Sequence, residues 1–437
     1  MPHTYEDSAR VALERCDLLA TFSEEPDKVT RRFATAPMHQ VHETIKGWLL
    51  AAGMTVELDA MSNLIGRREA SSPSHQEQTR VSERPEQPSL RTKTLLLGSH
   101  LDTVRDAGKY DGLLGVMIAL ACLERLRERG ASLPFALELL GFADEEGLRY
   151  QCMYMGSKAV TGKFAPQDLE LLDADGISMA EALRAFGCNP TLEALTTPRW
   201  SSEDLLGYCE VHIEQGPVLE ARDLPLAVVT SIVGQQRVLF QFSGVQGHAG
   251  TLPMDLRHDA LCAAAEFVVA AETLARSVPG LVATVGQLRI QPGASNVVPG
   301  YAELSLDIRH EDDALCTRSA NQLRAQAEQI CARRGVKLEC QHAQQTSTVA
   351  CSPRLRQRWQ DALVAEGYPP CSLFSGAGHD GVALSTLTEI AMLFVRCRGG
   401  ISHNPAEAVQ EADVAAAIAV LERFLLLTAQ EVLNEFV

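Results

Sequence analysis

Five short stretches set a histidine or an acid beside glycine or proline: "GSHLDTV" (98–104), "YDGLLGV" (110–116), "GFADEEG" (141–147), "EVHIEQGP" (210–217) and "GGISHNPAE" (399–407). Glycine permits sharp turns and close approach, so such positions let side chains from distant parts of a chain converge on one point. His100, Asp111, Glu146, His212 and His403 make a mixed imidazole and carboxylate set without a thiolate. That donor set suits two divalent ions of the Zn, Mn or Co type, bridged by one carboxylate. The adjacent acids Asp144, Glu145 and Glu146 close the apolar run from Leu133 to Leu140. Carboxylates are costly to bury unless paired, so this strand end meets either open solvent or bound positive charge. Each stretch taken singly also fits a solvated acidic corner or a structural histidine; their order along the chain is what carries information.

The elements around them must bring these groups together. "TLLLGSH" reads as a buried strand, "GLLGVMIALACLERLRERG" as an amphipathic helix closed by Gly130, and "LPFALELLGFAD" as a second strand. Strand, helix, strand in that order predicts an α/β domain with a mainly parallel sheet and polar residues collected at strand ends. Upstream, residues 30–52 show helical spacing up to Gly53, and "MTVELDAMSNLIGRRE" reads as two short strands around a turn. From about Pro225 the pattern becomes βαββαβ, the split arrangement of ferredoxin-like α+β domains. "EIAMLFVRC" and a long final helix then return to the first sheet. The expected organisation is a catalytic domain of residues 1–225 and 345–437, interrupted by a smaller domain over 226–344. Residues 70–92 drop nearly all apolar side chains and read as an exposed, flexible insertion.

Composition narrows the class. A chain of 437 residues, 46% hydrophobic and 22% charged, is long enough for two cores. The longest apolar run, Gly112 to Cys122, is too short to span a bilayer, and the N-terminus lacks the apolar core of a secretory signal. The expectation is a cytoplasmic protein with no membrane partner. A formal net charge of −17 repels a phosphate backbone, which argues against nucleic acid. The twelve cysteines are scattered, with no CxxC pair, and read as reduced, buried apolar residues.

The series "GSHLDTV", "DGLLGV", "FADEEG", "VHIEQGPVLE", "GHAGTLPM", "SNVVPG", "LDIRH" and "SHNPAE" closely resembles the amidase branch of the dinuclear-metal M20 peptidase family. That branch holds allantoate amidohydrolases, N-carbamoyl-L-amino acid hydrolases and ureidopropionases. The likeness runs from about residue 10 to the C-terminus, and the insertion 70–92 departs from it. It implies a large mixed-sheet catalytic domain and an inserted ferredoxin-like domain that serves as lid and homodimer contact. It implies two divalent ions per subunit, one held by His100, Asp111 and His212, the other by Asp111, Glu146 and His403. Glu145 would be the general base and Asp102 the carboxylate partner of His100. His248 would come from the partner subunit and stabilise the oxyanion. Asn296 and Arg309 would clamp a substrate carboxylate, and Gln215 would contact the ureido group. Asp144 is read as a solvated or capping acid, and His379 of "SGAGHDG" receives no role.

The implied reaction is hydrolysis of a linear amide in a small ureido or carbamoyl acid. Allantoate, converted to ureidoglycine, ammonia and CO2 in purine catabolism, is favoured by the likeness of "EEPDKVTRRFATAPMHQVHETIKGWLLAAGMTVELDAMSNLIG" to allantoate amidohydrolases. N-Carbamoyl-L-amino acids and 3-ureidopropionate are the alternatives. A non-catalytic binding protein on the same scaffold would be expected to lose Glu145 or a ligand, and all six positions are filled. A dipeptidase is disfavoured by "EVHIEQGPVLE", with histidine as the ligand.

Overall fold

The computed structural model describes residues 3–71 and 92–434. Helix α1 (Tyr5–Ala20) begins at Thr4, whose hydroxyl accepts from the Asp7 N–H while the Asp7 carboxylate accepts from the Thr4 N–H. Helix α2 (Ala36–Ala51) starts later than the apolar spacing from residue 30 predicts. Residues 30–35 are drawn elsewhere: the Arg31 N–H donates to Thr103 Oγ1 (2.9 Å), and its buried guanidinium donates to the carbonyls of Leu101 (2.9 Å) and Leu19 (3.0 Å). Strands β1 (Thr55–Leu58) and β2 (Leu64–Arg68) form the expected antiparallel pair. Then come β3 (Thr94–His100), α3 (Leu113–Glu128), β4 (Ala136–Phe142), β5 (Leu205–Ile213) and β6 (Leu226–Ile232). The expected insertion at 70–92 lies, but for its first two residues and its last, outside the described residues.

The next segment carries β7 (Gly234–Ser243), β8 (Gly247–His248), α4 (Ala260–Ser277), β9 (Val282–Gln291), β10 (Val297–Val298) and β11 (Tyr301–His310). It continues with α5 (Asp313–Arg334), β12 (Lys337–Thr346) and β13 (Val349–Ala350). The chain ends with α6 (Pro353–Ala365), β14 (Ser372–Ser375), β15 (Ile390–Val395) and α7 (Glu411–Asn434). Two compact units result. The second comprises Ser231–Ala350 with Phe374–Ala377, and the first takes the remainder. The division falls a few residues beyond 225 and 345, because the last residues of β6, Ser231 and Ile232, pair with β13 inside the second unit.

In the first unit β4, β3, β5 and β15 lie side by side and parallel, so their carboxyl ends share one edge. Every residue of these four strands is buried, the near-continuous apolar reading expected of parallel strands covered on both faces. β2 joins β4 and β6 joins β15, both antiparallel, which makes the sheet mixed. Trp359 of α6 stacks on Phe424 of α7 with ring centroids 4.2 Å apart, worth about 1 kcal/mol beyond simple burial.

The second unit has its own core, centred on Phe240, Phe242, Phe267 and Leu323. Its antiparallel sheet runs β12-β7-β11-β9, the strand order that βαββαβ connectivity gives in ferredoxin-like folds. Burial alternates residue by residue along β11, as one covered face requires. Among the described residues no helix is long and apolar enough to cross a membrane.

Candidate metal centre

The shared edge of the parallel strands is where an open α/β sheet presents its ligand groups. His100 closes β3, Asp144 to Glu146 follow β4, His212 is the penultimate residue of β5, and His403 lies on the loop after β15. Asp111 arrives from the turn before α3. Its Oδ1 lies 3.6 Å from His100 Nε2 and 3.2 Å from His212 Nε2, and its Oδ2 lies 3.1 Å from His403 Nε2. His403 Nε2 is also 3.3 Å from Glu146 Oε1. Donor atoms of His100, Asp111 and His212 therefore cluster within 4.8 Å of one another, as do those of Asp111, Glu146 and His403. Asp111 belongs to both groups. At Gly112 a side chain is excluded twice: φ is +64°, and a Cβ would sit 2.4 Å from the His100 ring.

The donor set fits two divalent cations. Asp111 Oδ1 and His212 Nε2 are buried and neither makes a hydrogen bond, although each faces the other's charge at 3.2 Å. A buried polar atom left in this state is costly unless something binds it. Burial opposes ionisation of Asp111, yet His100, His212 and His403 hold its carboxyl well below the usual range. The same attraction runs in reverse. Asp111 and then Glu146 push the His403 imidazole up to about 10, and Asp111, Glu145 and Asp102 raise His100 against the effect of burial. The cluster draws in positive charge, which protons on the imidazoles or bound cations would supply.

Both core histidines turn Nε2 toward Asp111 because Nδ1 is engaged on the main chain: His100 with the Asp102 carbonyl at 3.1 Å, His212 with the Ile213 carbonyl at 2.9 Å. The Asp102 carboxylate, expected to partner His100, stands 3.6 Å from its Nδ1. Its two oxygens instead accept the backbone N–H groups of Glu145 (3.0 Å) and Glu146 (3.1 Å). It thus fixes the turn that aims both acids. Burial, then Glu146, Asp380 and Asp102, raise the Glu145 carboxyl well above its ordinary value.

Asp144 departs from the sequence reading. It is fully buried, and burial followed by Asp102 raises its carboxyl strongly. The reason is that the strand end meets a packed turn: Tyr154, Met155 and Gly156 donate their N–H groups to the carbonyls of Glu145, Asp144 and Ala143. Gln215, in the left-handed region at φ +57°, gives its Nε2 to Asp111 Oδ2 and to Ser402 Oγ, both at 3.0 Å.

Further polar groups surround the cluster without having been expected. Glu210 is buried and accepts from Ser99 Oγ and Tyr208 Oη, both at 2.9 Å. Two residues before His212 on a strand, it shares that residue's face, a period-two signal present in the sequence. The His379 ring lies 4.5 Å from that of His212, and the neighbouring Asp380 is buried, its carboxyl raised by burial and by Glu210. Burial and then Asp111 push Glu407 up to about 7.

The remaining expected residues belong to the second unit. His248 and Asn296 are exposed neighbours there: β8 pairs with β10 so that His248 faces Val297, and the Ala249 N–H donates to the Asn296 carbonyl at 2.9 Å. Arg309 grips Asp307 with Nε (2.7 Å) and Nη2 (3.0 Å) and gives Nη1 to the Gly376 carbonyl (2.6 Å). Arg237 holds the same Asp307 at 2.9 Å, and both guanidiniums line a cavity of about 700 Å³ together with Thr284, Gln287 and Phe374.

A model of peptidase family M20/M25/M40 matches residues 96–427. An allantoate deiminase of Arabidopsis thaliana is 37% identical, over 94% of this chain and 81% of its own length. An N-carbamoyl-L-amino acid amidohydrolase of Geobacillus stearothermophilus is also 37% identical, over 90% of this chain and 91% of its own. Among solved structures, a hydantoinase/carbamoylase family amidase from Burkholderia multivorans superposes with a TM-score of 0.86 at 30% identity, covering 96% of this chain and 98% of that one.

Proposed function

The chain belongs to peptidase family M20/M25/M40 and is an amidohydrolase of that family, and we propose that its substrate is allantoate, hydrolysed to ureidoglycine, ammonia and CO2. The pair of donor clusters sharing Asp111, with the buried Glu145 beside them, carries the metal-dependent hydrolysis, and the 37% identity to the Arabidopsis allantoate deiminase over 94% of this chain favours allantoate. His100, Asp111 and His212 would hold one divalent ion and Asp111, Glu146 and His403 the other, Zn, Mn or Co each being compatible with the donors. Such ions, when bound, polarise a carbonyl and lower the pKa of water toward about 7.

The chain's own groups do the rest. Glu145 accepts the proton of the attacking water and returns it to the departing nitrogen, a role open to a buried carboxylate beside the two donor clusters. Asp102 keeps it aimed by holding its backbone. Gln215 has its amide nitrogen committed to Asp111 and Ser402, so its carbonyl oxygen is the atom offered to a ureido N–H. Arg309 and Asn296 receive the substrate carboxylate, the planar guanidinium providing a two-pronged contact. His248 serves the site of a partner subunit, where it stabilises the developing oxyanion. A homodimer through the second unit is supported by β9, an outer strand that exposes Val282 and Leu288, with Val269 exposed on α4. The second unit would then act as lid as well as contact. All twelve cysteines are free thiols, nine of them buried, which fits a reducing cytoplasm.

The Geobacillus relative keeps N-carbamoyl-L-amino acids open as the second reading, with 3-ureidopropionate beside it. Ammonia release from allantoate, N-carbamoyl-L-amino acids and 3-ureidopropionate, and amino-acid release from a glycine-containing dipeptide, should be measured with metal-stripped enzyme refilled by Mn, Co or Zn. The highest kcat/KM is expected for allantoate. A preference of tenfold or more for a carbamoyl amino acid would refute the allantoate assignment, and equal activity before and after refilling would refute the metal reading.

A further inference from the structure

Asp111 makes its polar contacts with groups supplied by three other chain segments, and a buried acid on one of them ties that segment to the turn that carries Asp111. Glu407 is 3% exposed. Its Oε1 accepts the backbone N–H groups of Tyr110 (2.8 Å) and Asp111 (3.2 Å). Its Oε2 lies 3.2 Å from Ser402 Oγ, which in turn lies 3.1 Å from Asp111 Oδ2. One carboxylate therefore holds the Asp111 main chain directly and stands beside Ser402, whose single hydroxyl proton can go to Asp111 or to Glu407 but not to both. Ser402 immediately precedes His403, so the loop that supplies His403 and the turn that supplies Asp111 are joined at Glu407. The turn lies directly on this carboxyl group: a Cβ at Gly108 would stand 2.3 Å from Glu407 Oε1 and 2.4 Å from its Cβ and Cδ. Only glycine fits there.

We propose that Glu407 is a positioning residue of the metal centre, holding Asp111 in the one place where its two oxygens face His100 and His212 on one side and His403 on the other. The inference rests on the metal reading given above. Glu407 does not itself join either donor cluster. It acts on the carboxylate common to both, so its removal should weaken both ions together, unlike the loss of Glu146 or His403. Partners that orient a metal ligand without touching the ion typically account for about 10- to 100-fold in affinity. A glutamine at 407 keeps one oxygen for the two N–H groups, and its NH2 can donate to Ser402 Oγ, which leaves the serine hydroxyl to serve Asp111.

The test is a competition titration of Mn(II) or Zn(II) against a chromophoric chelator, using the metal-stripped full-length wild type, Glu407→Ala, Glu407→Gln and Ser402→Ala, with folding checked by circular dichroism. The wild type should bind two ions. Glu407→Ala should raise both dissociation constants about 10- to 100-fold. Glu407→Gln should stay within about threefold of wild type, and Ser402→Ala should fall between, since it leaves the main-chain hold of Glu407 in place. A folded Glu407→Ala with wild-type affinity for two ions overturns the proposal and reduces Glu407 to a packing residue. Should Glu407→Ala fail to fold, Glu407→Asp, which draws the carboxyl away from the Tyr110 and Asp111 N–H groups by one methylene, takes its place: unchanged affinity overturns the proposal, and weakening of both ions supports it. A wild type that binds fewer than two ions overturns the metal reading, and the present inference falls with it.

Discussion

Replacement of Glu145 by glutamine isolates the proton-transfer step from everything else the centre does. Glu145 is 5% exposed, and its backbone N–H is held by Asp102 Oδ1 at 3.0 Å while Oδ2 holds that of Glu146 at 3.1 Å. The turn is thus fixed by a third residue, so an isosteric change at 145 leaves the fold and the direction of Glu146 intact. Burial and the acids Glu146, Asp380 and Asp102 disfavour a charge at 145 by more than His100 favours it, so a neutral isostere should let the metal-free variant melt no lower than metal-free wild type. General acid–base catalysis supplies about 10² to 10⁴ in rate, or about 3 to 5 kcal/mol of barrier, and a group used both as base and as acid belongs near the upper figure. We expect kcat to fall about 10³- to 10⁴-fold with KM within a few-fold of wild type. Ammonia release at saturating allantoate, with metal content measured on the same sample, is the assay. A glutamine variant that carries two ions and turns over within tenfold of wild type would remove Glu145 from the chemistry. The paired control is Glu146→Gln: its carboxylate stands 3.3 Å from His403, so this variant should lose one ion. Equal metal content in the two variants would refute the division of labour between the neighbouring acids.

Arg309→Lys keeps the charge but cannot span Asp307 and the Gly376 carbonyl while also presenting a fork, so KM should rise about tenfold or more and kcat should fall as the scissile bond loses alignment; unchanged kinetics would leave only its ion pair with Asp307. Glu145→Gln and His248→Ala should each be nearly inactive, yet equal mixtures dissociated and reassociated should recover about a quarter of wild-type activity, because half the dimers are mixed and each has one intact site. No recovery, with mixed dimers shown by mass spectrometry, would place His248 in its own chain's site or outside the chemistry. His42 is 3% exposed, neither ring nitrogen has a hydrogen bond, and burial pushes its imidazole down to about 3. The folded protein refuses a proton that the unfolded chain accepts below about pH 6.5, so stability present above that pH is lost as pH falls toward 3. Urea unfolding should therefore show His42→Leu escaping about 2.5 kcal/mol of the loss that wild type suffers between pH 7 and 4.5; parallel pH profiles would refute this.

The order of elements and the groups at their ends were legible in the chain itself. Four buried apolar runs end in His100, Asp144 to Glu146, His212 and the approach to His403, and parallel strands must carry such ends to one edge whatever their separation in sequence. The βαββαβ pattern of the second unit was equally local, because periods of 2.0 and 3.6 residues are properties of a strand and a helix by themselves. Even Glu210 follows from the strand period two residues from His212.

What lay beyond sequence reading was decided by contacts between distant segments. Residues 30–35 have helical spacing yet form irregular chain and a turn, with Ala34 in the left-handed region at φ +51°, because the polar groups of Arg31 find Leu19, Leu101 and Thr103. Asp144 reads as a solvated or capping acid and is buried, because the chain from Tyr154 to Gly156 closes over the strand end. Glu407 reaches Tyr110 across 297 residues, a pairing that leaves no period and no spacing in either segment. A side chain's type and the face of its own element are set by the chain locally, so the donors of the centre were determined there. Which of them a buried carboxylate grips depends on the three-dimensional meeting of loops, where each unsatisfied N–H must find an acceptor, and only the tertiary structure decided that.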